Sequence, residues 1–131
     1  MKEIDWSSLS FGYMKTDYNV RCWYRNGAWG EIEVSSEETL NIHMAATCLH
    51  YGQEAFEGLK AYRCPDGKVR VFRMDENAAR LQSSCRGIMM PEMPTEKFEE
   101  MVSKVVRLNE AYIPPYESGA SLYIRPLLIG T

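Results

Sequence analysis

The sequence predicts an α+β fold in which a mostly antiparallel sheet packs with two main helices. Three observations carry this: short β-type segments fill the first half, two helical periodicities follow from Asp75 to Tyr112, and a β-branched, aromatic run comes last. Strands, then helices, then a strand is the order of an α+β layer, not of alternating βαβ units.

The first ten residues carry little pattern and read as an arm. Val20 to Tyr24 and Trp29 to Val34 flank Arg25-Asn26-Gly27-Ala28, a hairpin signal because Asn-Gly accepts positive φ at low cost. A Ser- and Glu-rich loop spans Ser35 to Thr39, and Asn41 to Thr47 is ambiguous between strand and loop. Leu59 to Arg63 reads as a strand, Cys64-Pro65-Asp66-Gly67 as a turn, and Lys68 to Arg73 as the returning strand with Val69 and Val71 alternating. Asp75 is the expected cap of a helix running to about Arg86 and ended by Gly87, with Ala78, Leu81 and Cys85 on one face. Thr95 is the expected cap of a longer helix with Glu96 at its positive end. Phe98, Met101, Val102, Val105, Leu108 and Tyr112 form its buried stripe, and Pro114-Pro115 stops it. Ala120 to Ile129 is a final strand interrupted by Pro126.

A chain of 131 residues fits one domain with a real core, and 45% apolar with 25% charged residues is ordinary for a soluble globular protein. A net charge of −3 suggests neither nucleic acid nor an anionic membrane as partner, and no apolar run approaches a membrane span. Met1 followed by Lys2, Glu3 and Asp5 reads as a plain cytosolic start, so a cytoplasmic location is expected. Cys22, Cys48, Cys64 and Cys85 form no CxxC pair, and His43 and His50 sit at no metal-ligand spacing. No metal site is expected, and the cysteines read as small apolar fillers in reduced form.

Chemistry concentrates in two runs, Leu49 to Tyr62 (LHYGQEAFEGLKAY) and Ser121 to Thr131 (SLYIRPLLIGT). Arg125 interrupts an apolar strand and shares a face with Tyr123, since residues two apart in a strand do so. That pair suits a carboxylate or phosphate. A structural ion pair of Arg125 with Glu54 or Glu57 is the competing reading. By residue type alone Arg80 is a solvated helix arginine, His50 a hydrogen-bonded structural histidine, and Tyr51 and Phe56 are core aromatics.

Together with Val71 to Ser84 (VFRMDENAARLQSS), Phe11-Gly12 and Thr16-Asp17, these runs give a resemblance that isolated residues do not. The chain resembles the N-terminal small domain of branched-chain amino acid aminotransferases, fold-type IV pyridoxal-phosphate enzymes, over nearly its whole length. The resemblance implies that Arg80 holds the cofactor phosphate. It implies that Tyr51 and Phe56 wall the branched-chain side-chain pocket, some such aromatics acting across a dimer interface, and that Phe11 matches another pocket aromatic. It places Tyr123 and Arg125 near the substrate carboxylates, Arg125 being linked to the second carboxylate of glutamate or 2-oxoglutarate. The implied reaction moves an amino group between leucine, isoleucine or valine and 2-oxoglutarate, in a homodimer using pyridoxal 5′-phosphate.

Transamination needs a lysine that forms an imine with the cofactor. Lys2, Lys15, Lys68 and Lys97 sit in terminal, turn or helix-start surroundings, Lys104 lies off the apolar stripe, and Lys60 alone falls in a signature run. The family places its catalytic lysine, and the acidic partner of the pyridine nitrogen, in the following domain. The expectation is therefore that residues 1–131 are a single small domain that lacks the Schiff-base lysine. Alone, it is expected neither to turn over nor to hold the cofactor. Competing readings are another fold-type IV enzyme, of the D-amino acid aminotransferase or aminodeoxychorismate lyase type, and a non-catalytic binding or regulatory module.

Overall fold

A computed structural model describes residues 2–131; Met1, the first residue of the expected cytosolic start, lies outside them. The arm is tied down rather than loose. Asp5 caps a short 3-10 turn, Trp6–Ser8. Lys2 Nζ donates to Asp17 (2.7 Å) and to the Tyr112 hydroxyl (2.6 Å), which itself donates to Asp17 (2.8 Å).

The expected first hairpin forms in two short ladders. β1 (Asn19–Arg21) pairs antiparallel with β4 (Glu33–Ser35), and β2 (Tyr24–Arg25) with β3 (Ala28–Trp29). Asn26 (φ 53°) and Gly27 (φ 81°) make the turn, the two positive φ values that the Asn-Gly pair permits. The ambiguous segment 41–47 is a loop, followed by a helix that the sequence reading did not contain, α1 (Thr47–Tyr51). Gly52 ends it in the left-handed conformation (φ 60°).

β5 (Glu54–Phe56) leads into β6 (Leu59–Arg63), and β7 (Val69–Val71) returns along β6. The final strand is split: β8 (Leu122–Ile124) pairs with β6, whereas β9 (Leu127–Ile129) pairs with β5. Pro126 sits at that change of partner, where its missing N–H costs no ladder bond, and its carbonyl accepts the Glu57 N–H at 2.9 Å. Every strand pair is antiparallel, but the strands form a three-stranded sheet β7-β6-β8 and three two-stranded ones rather than one continuous sheet.

α2 (Met74–Gly87) and α3 (Thr95–Leu108) cover one side of the three-stranded sheet. Two expected caps are corrected. α2 starts after Arg73, itself in the left-handed region (φ 48°), so Asp75 lies inside the first turn, where a carboxylate still favours the helix dipole. Thr95 is likewise the first residue of α3; its hydroxyl accepts from Gln82 Nε2 (3.2 Å) and so joins the two helices. α3 also ends before Tyr112. The Asn109 side chain donates to the Val105 carbonyl (2.9 Å), and Tyr112 falls in a separate 3-10 turn, Glu110–Tyr112.

The core lies between the inner sheet face and the helices. Leu59, Ala61 and Ile124 meet Ala78, Leu81 and Cys85 of α2 and Phe98, Val102 and Val106 of α3, with Ile113 fully buried beneath. The period-two alternation of β6 and β8 then turns Lys60, Tyr62 and Tyr123 to the opposite, open face. All four cysteines are free thiols, and only Cys85 is buried. Among the described residues no helix is long and apolar enough to cross a membrane.

Candidate functional site

The open face is organised by three consecutive residues, Phe56-Glu57-Gly58, in the tight connection between β5 and β6. Each contacts one of the candidate residues. The Arg125 guanidinium stacks over the Phe56 ring at 4.4 Å, and Glu57 takes two hydrogen bonds from Arg80. Gly58 leaves room for Tyr123, because a Cβ there would overlap the Tyr123 hydroxyl.

Around Tyr123 a small cluster assembles. Arg125 donates to the Tyr123 hydroxyl through Nη2 (3.1 Å) and Nε (3.4 Å), so the two residues meet as expected, although Arg125 lies in the break between β8 and β9 and not within a strand. Phe11 packs its edge against Tyr123, with ring centroids 5.6 Å apart and planes at 77°. The competing reading of Arg125 as the ion-pair partner of Glu54 or Glu57 is not what forms. Among the described residues Arg125 has no carboxylate partner, and Glu57 is taken by Arg80. An exposed guanidinium held by an aromatic face and a hydroxyl is shaped to accept a bidentate anion.

Arg80 projects from the middle of α2. Its Nε donates to Glu57 Oε1 (2.7 Å) and its Nη2 to Oε2 (2.6 Å). The pair is lopsided: the Glu57 side chain is 2% exposed and that of Arg80 is 67% exposed. Burial pushes the Glu57 carboxyl up, but hydrogen bonds from Arg80 and Asn77 outweigh it and hold it below its ordinary value. The same bond pushes the Arg80 guanidinium up. Asn77, three residues before Arg80 and so on the same helix face, donates to Glu57 Oε2 (3.0 Å).

Tyr51 stands apart. It lies at the end of α1, 83% exposed, and its aromatic neighbour is His50, whose Nε2 lies 2.8 Å from the Met44 carbonyl. Thr47 and Gln53 tie α1 to β5 and β9: the Thr47 hydroxyl donates to Gln53 Oε1 (2.6 Å), and the Gly130 N–H to the Gln53 carbonyl (3.0 Å). A cleft of about 860 Å³ between β1, α3 and β9 borders Tyr123 and Arg125 but not Phe11, Tyr51, Phe56 or Arg80. Phe11, Phe56 and Arg80 instead join Tyr123 and Arg125 around the Phe56-Glu57-Gly58 connection, and Tyr51 joins neither group. Lys60, paired in register with Tyr123, is exposed on the same face.

Sequence reasoning did not single out Gly58 or Asn77, and it offered Glu57 only as a partner for Arg125. The signals were present. A carboxylate between Phe56 and Gly58 in an apolar run has to be paired if buried, and Asn77 and Arg80 fall on one helix face.

No family model matches the chain. The branched-chain-amino-acid aminotransferase of Haemophilus influenzae is 48% identical over 130 residues, covering 99% of this chain and 38% of that protein. Among solved structures, the Escherichia coli branched-chain amino acid aminotransferase matches with a TM-score of 0.65 at 29% identity, over 88% of this chain and 33% of that one. The T.th. branched-chain amino acid aminotransferase, solved in complex with N-(5′-phosphopyridoxyl)-L-glutamate, matches with a TM-score of 0.62 at 28% identity, over 88% and 33%. The chain thus spans well under half the length of the relatives it matches, and over that span its sequence and fold are similar to those of branched-chain amino acid aminotransferases.

Proposed function

We propose that this chain is the substrate- and phosphate-recognising part of an aminotransferase that moves the amino group between leucine, isoleucine or valine and 2-oxoglutarate. The observation that carries the reading is the convergence of Arg80, Tyr123 and Arg125 on Phe56-Glu57-Gly58. One tight connection thereby sets the relative placement of two anion-binding arginines. A substrate pair comprising one apolar amino acid and one dicarboxylate needs such a surface, with a dedicated cation for the second carboxylate.

The residues present fit the phosphate of pyridoxal phosphate at one point. Of the five N–H donors of a guanidinium, Arg80 commits one each on Nε and Nη2 to Glu57, which leaves the Nη1–Nη2 edge facing outward from an exposed side chain. When bound, the cofactor supplies the electron sink for breaking bonds at the substrate Cα. Arg80 then anchors the phosphate, and Arg125 pairs with the distal carboxylate of 2-oxoglutarate or glutamate. Tyr123 orients Arg125 and reaches the substrate carboxylate, while Phe56 and Phe11 give the branched side chain an apolar wall. Tyr51, exposed at the end of α1, serves the neighbouring subunit of a cytoplasmic homodimer. The lysine chemistry belongs to a further domain, and residues 1–131 alone are inactive.

A chimera tests this. The matching segment of the Haemophilus influenzae relative is replaced by this chain, and transamination of leucine with 2-oxoglutarate is assayed. Activity is expected, and Arg125→Gln in the chimera is expected to raise the KM for 2-oxoglutarate while leaving that for a monocarboxylic branched-chain 2-oxo acid nearly unchanged. A folded but inactive chimera, or equal effects on both substrates, would refute the reading.

A further inference from the structure

We infer that Glu57 is a positioning residue for anion recognition: it fixes the Arg80 guanidinium so that the Nη1–Nη2 edge is presented to a phosphate. The inference rests on the reading of Arg80 as the phosphate anchor. Glu57 is itself held from behind. Its side chain is 2% exposed, Asn77 Nδ2 donates to Oε2 (3.0 Å) and to the Gly58 carbonyl (3.4 Å), and its own N–H donates to the Pro126 carbonyl (2.9 Å). The carboxylate is therefore a fixed point. The arginine that it grips is exposed and would otherwise sample many rotamers. Gripping the Nε–Nη2 edge selects one of them and leaves the other edge free. The Pro126 bond also sets this fixed point beside Arg125, so the placements of the two arginines are coupled through one backbone bond.

The sign of a mutational effect separates positioning from mere charge balance. A carboxylate against Arg80 cancels part of its positive charge, so on electrostatics alone its removal should tighten anion binding. If Glu57 positions Arg80, its removal should weaken binding, because the ligand must then order a long, mobile side chain.

The test is titration of the cofactor-free chimera, this chain joined to the remainder of the Haemophilus influenzae relative, with N-(5′-phosphopyridoxyl)-L-glutamate, followed by the nitrogen and proton signals of the arginine side chains. In the unmutated chimera the Arg80 Nε–H signal should keep its Glu57-bonded position throughout, while the Nη signals move. Release of Nε on binding overturns the inference. Glu57→Gln should weaken binding about threefold to tenfold, the cost of ordering one flexible side chain. Unchanged or tighter binding overturns it. Should Glu57→Gln fail to fold, the unmutated titration still decides, as does Asn77→Ala, which loosens the carboxylate without removing its charge and should weaken binding in the same direction. Unchanged or tighter binding by that variant overturns the inference. Arg80→Ala separates the two claims. If it binds as well as the unmutated chimera, the phosphate-anchor reading itself fails. If it loses binding while Glu57→Gln does not, only the role of Glu57 fails.

Discussion

Gly58 and the Tyr123 hydroxyl compete for the same space: a Cβ on residue 58 would overlap the phenol oxygen and crowd the ring carbons behind it. The absence of a side chain at 58 is what lets the Tyr123 ring lie across the β5–β6 connection, within reach of both Arg125 and Phe11.

Gly58→Ala is therefore expected to destabilise the chain by about 1–3 kcal/mol, the usual cost of overpacking. Tyr123→Phe removes the atom that the new methyl strikes first. The double variant should then lose less stability than the two single losses added together. Denaturant titration of the four proteins measures the coupling, and strict additivity would show that the clash is relieved in some other way.

The Glu57 carboxyl gives a pH signature. It is held below its ordinary value of 4.5 in the folded chain, so the folded state favours its ionised form. Its contribution to stability should be fully present above pH 4.5 and be lost as pH falls through the lower folded value. Glu57→Gln lacks this titration. The stability gap between the unmutated chain and the variant should thus be constant from neutral pH down to about 4.5 and shrink below it. A gap that widens on acidification would mean that burial, which pushes the carboxyl up, outweighs Arg80 and Asn77.

Much of this was legible in the chain itself, because local rules and the fold agree. Asn26-Gly27 placed the first hairpin, Cys64-Pro65-Asp66-Gly67 the second, and the spacing of Ala78, Leu81 and Cys85 picked out the buried face of α2. The Tyr123–Arg125 contact was expected from their spacing, although Arg125 lies in the break between β8 and β9 rather than inside a strand. What the sequence did not reveal depended on distant partners. The Leu122–Ile129 run divides because β6 and β5 each recruit half of it, and nothing within the run names those two strands. Both helices start earlier than side-chain capping suggests, since the caps are Arg73 and Pro94, neither making a side-chain cap bond. Arg80 found Glu57 across 23 residues of sequence, a pairing that only packing of α2 on the β5–β6 connection decides.

Asn109 is the clearest structural polar residue. It is 3% exposed; its Nδ2 donates to the Tyr18 carbonyl (2.9 Å) and to the Val105 carbonyl, and its Oδ1 accepts the Tyr18 N–H (3.1 Å). The side chain thereby clips the approach to β1 onto the end of α3. Asn109→Ala should cost about 1–3 kcal/mol by leaving buried groups unpaired. Asn109→Asp should cost more, because at neutral pH a carboxylate has no donor for either carbonyl. Hydrogen exchange should show the loosening first at Asn19–Arg21; uniform acceleration over the whole chain would argue against a local clip.

Phe56 supplies a face rather than core volume. Its ring is 57% exposed, and the Arg125 guanidinium lies 4.4 Å from its centroid. Phe56→Leu keeps an apolar side chain but removes the π-system, a loss of about 0.5–1 kcal/mol at an exposed site. Most of that loss should appear as mobility of Arg125. Its Nε–H should exchange with water faster, and the bond to Tyr123 should be populated less, while global stability changes little. Phe56→Tyr keeps the ring and should preserve both signals. If Leu and Tyr behave alike at position 56, stacking is not what holds Arg125, and the bonds to the Tyr123 hydroxyl are sufficient to orient it.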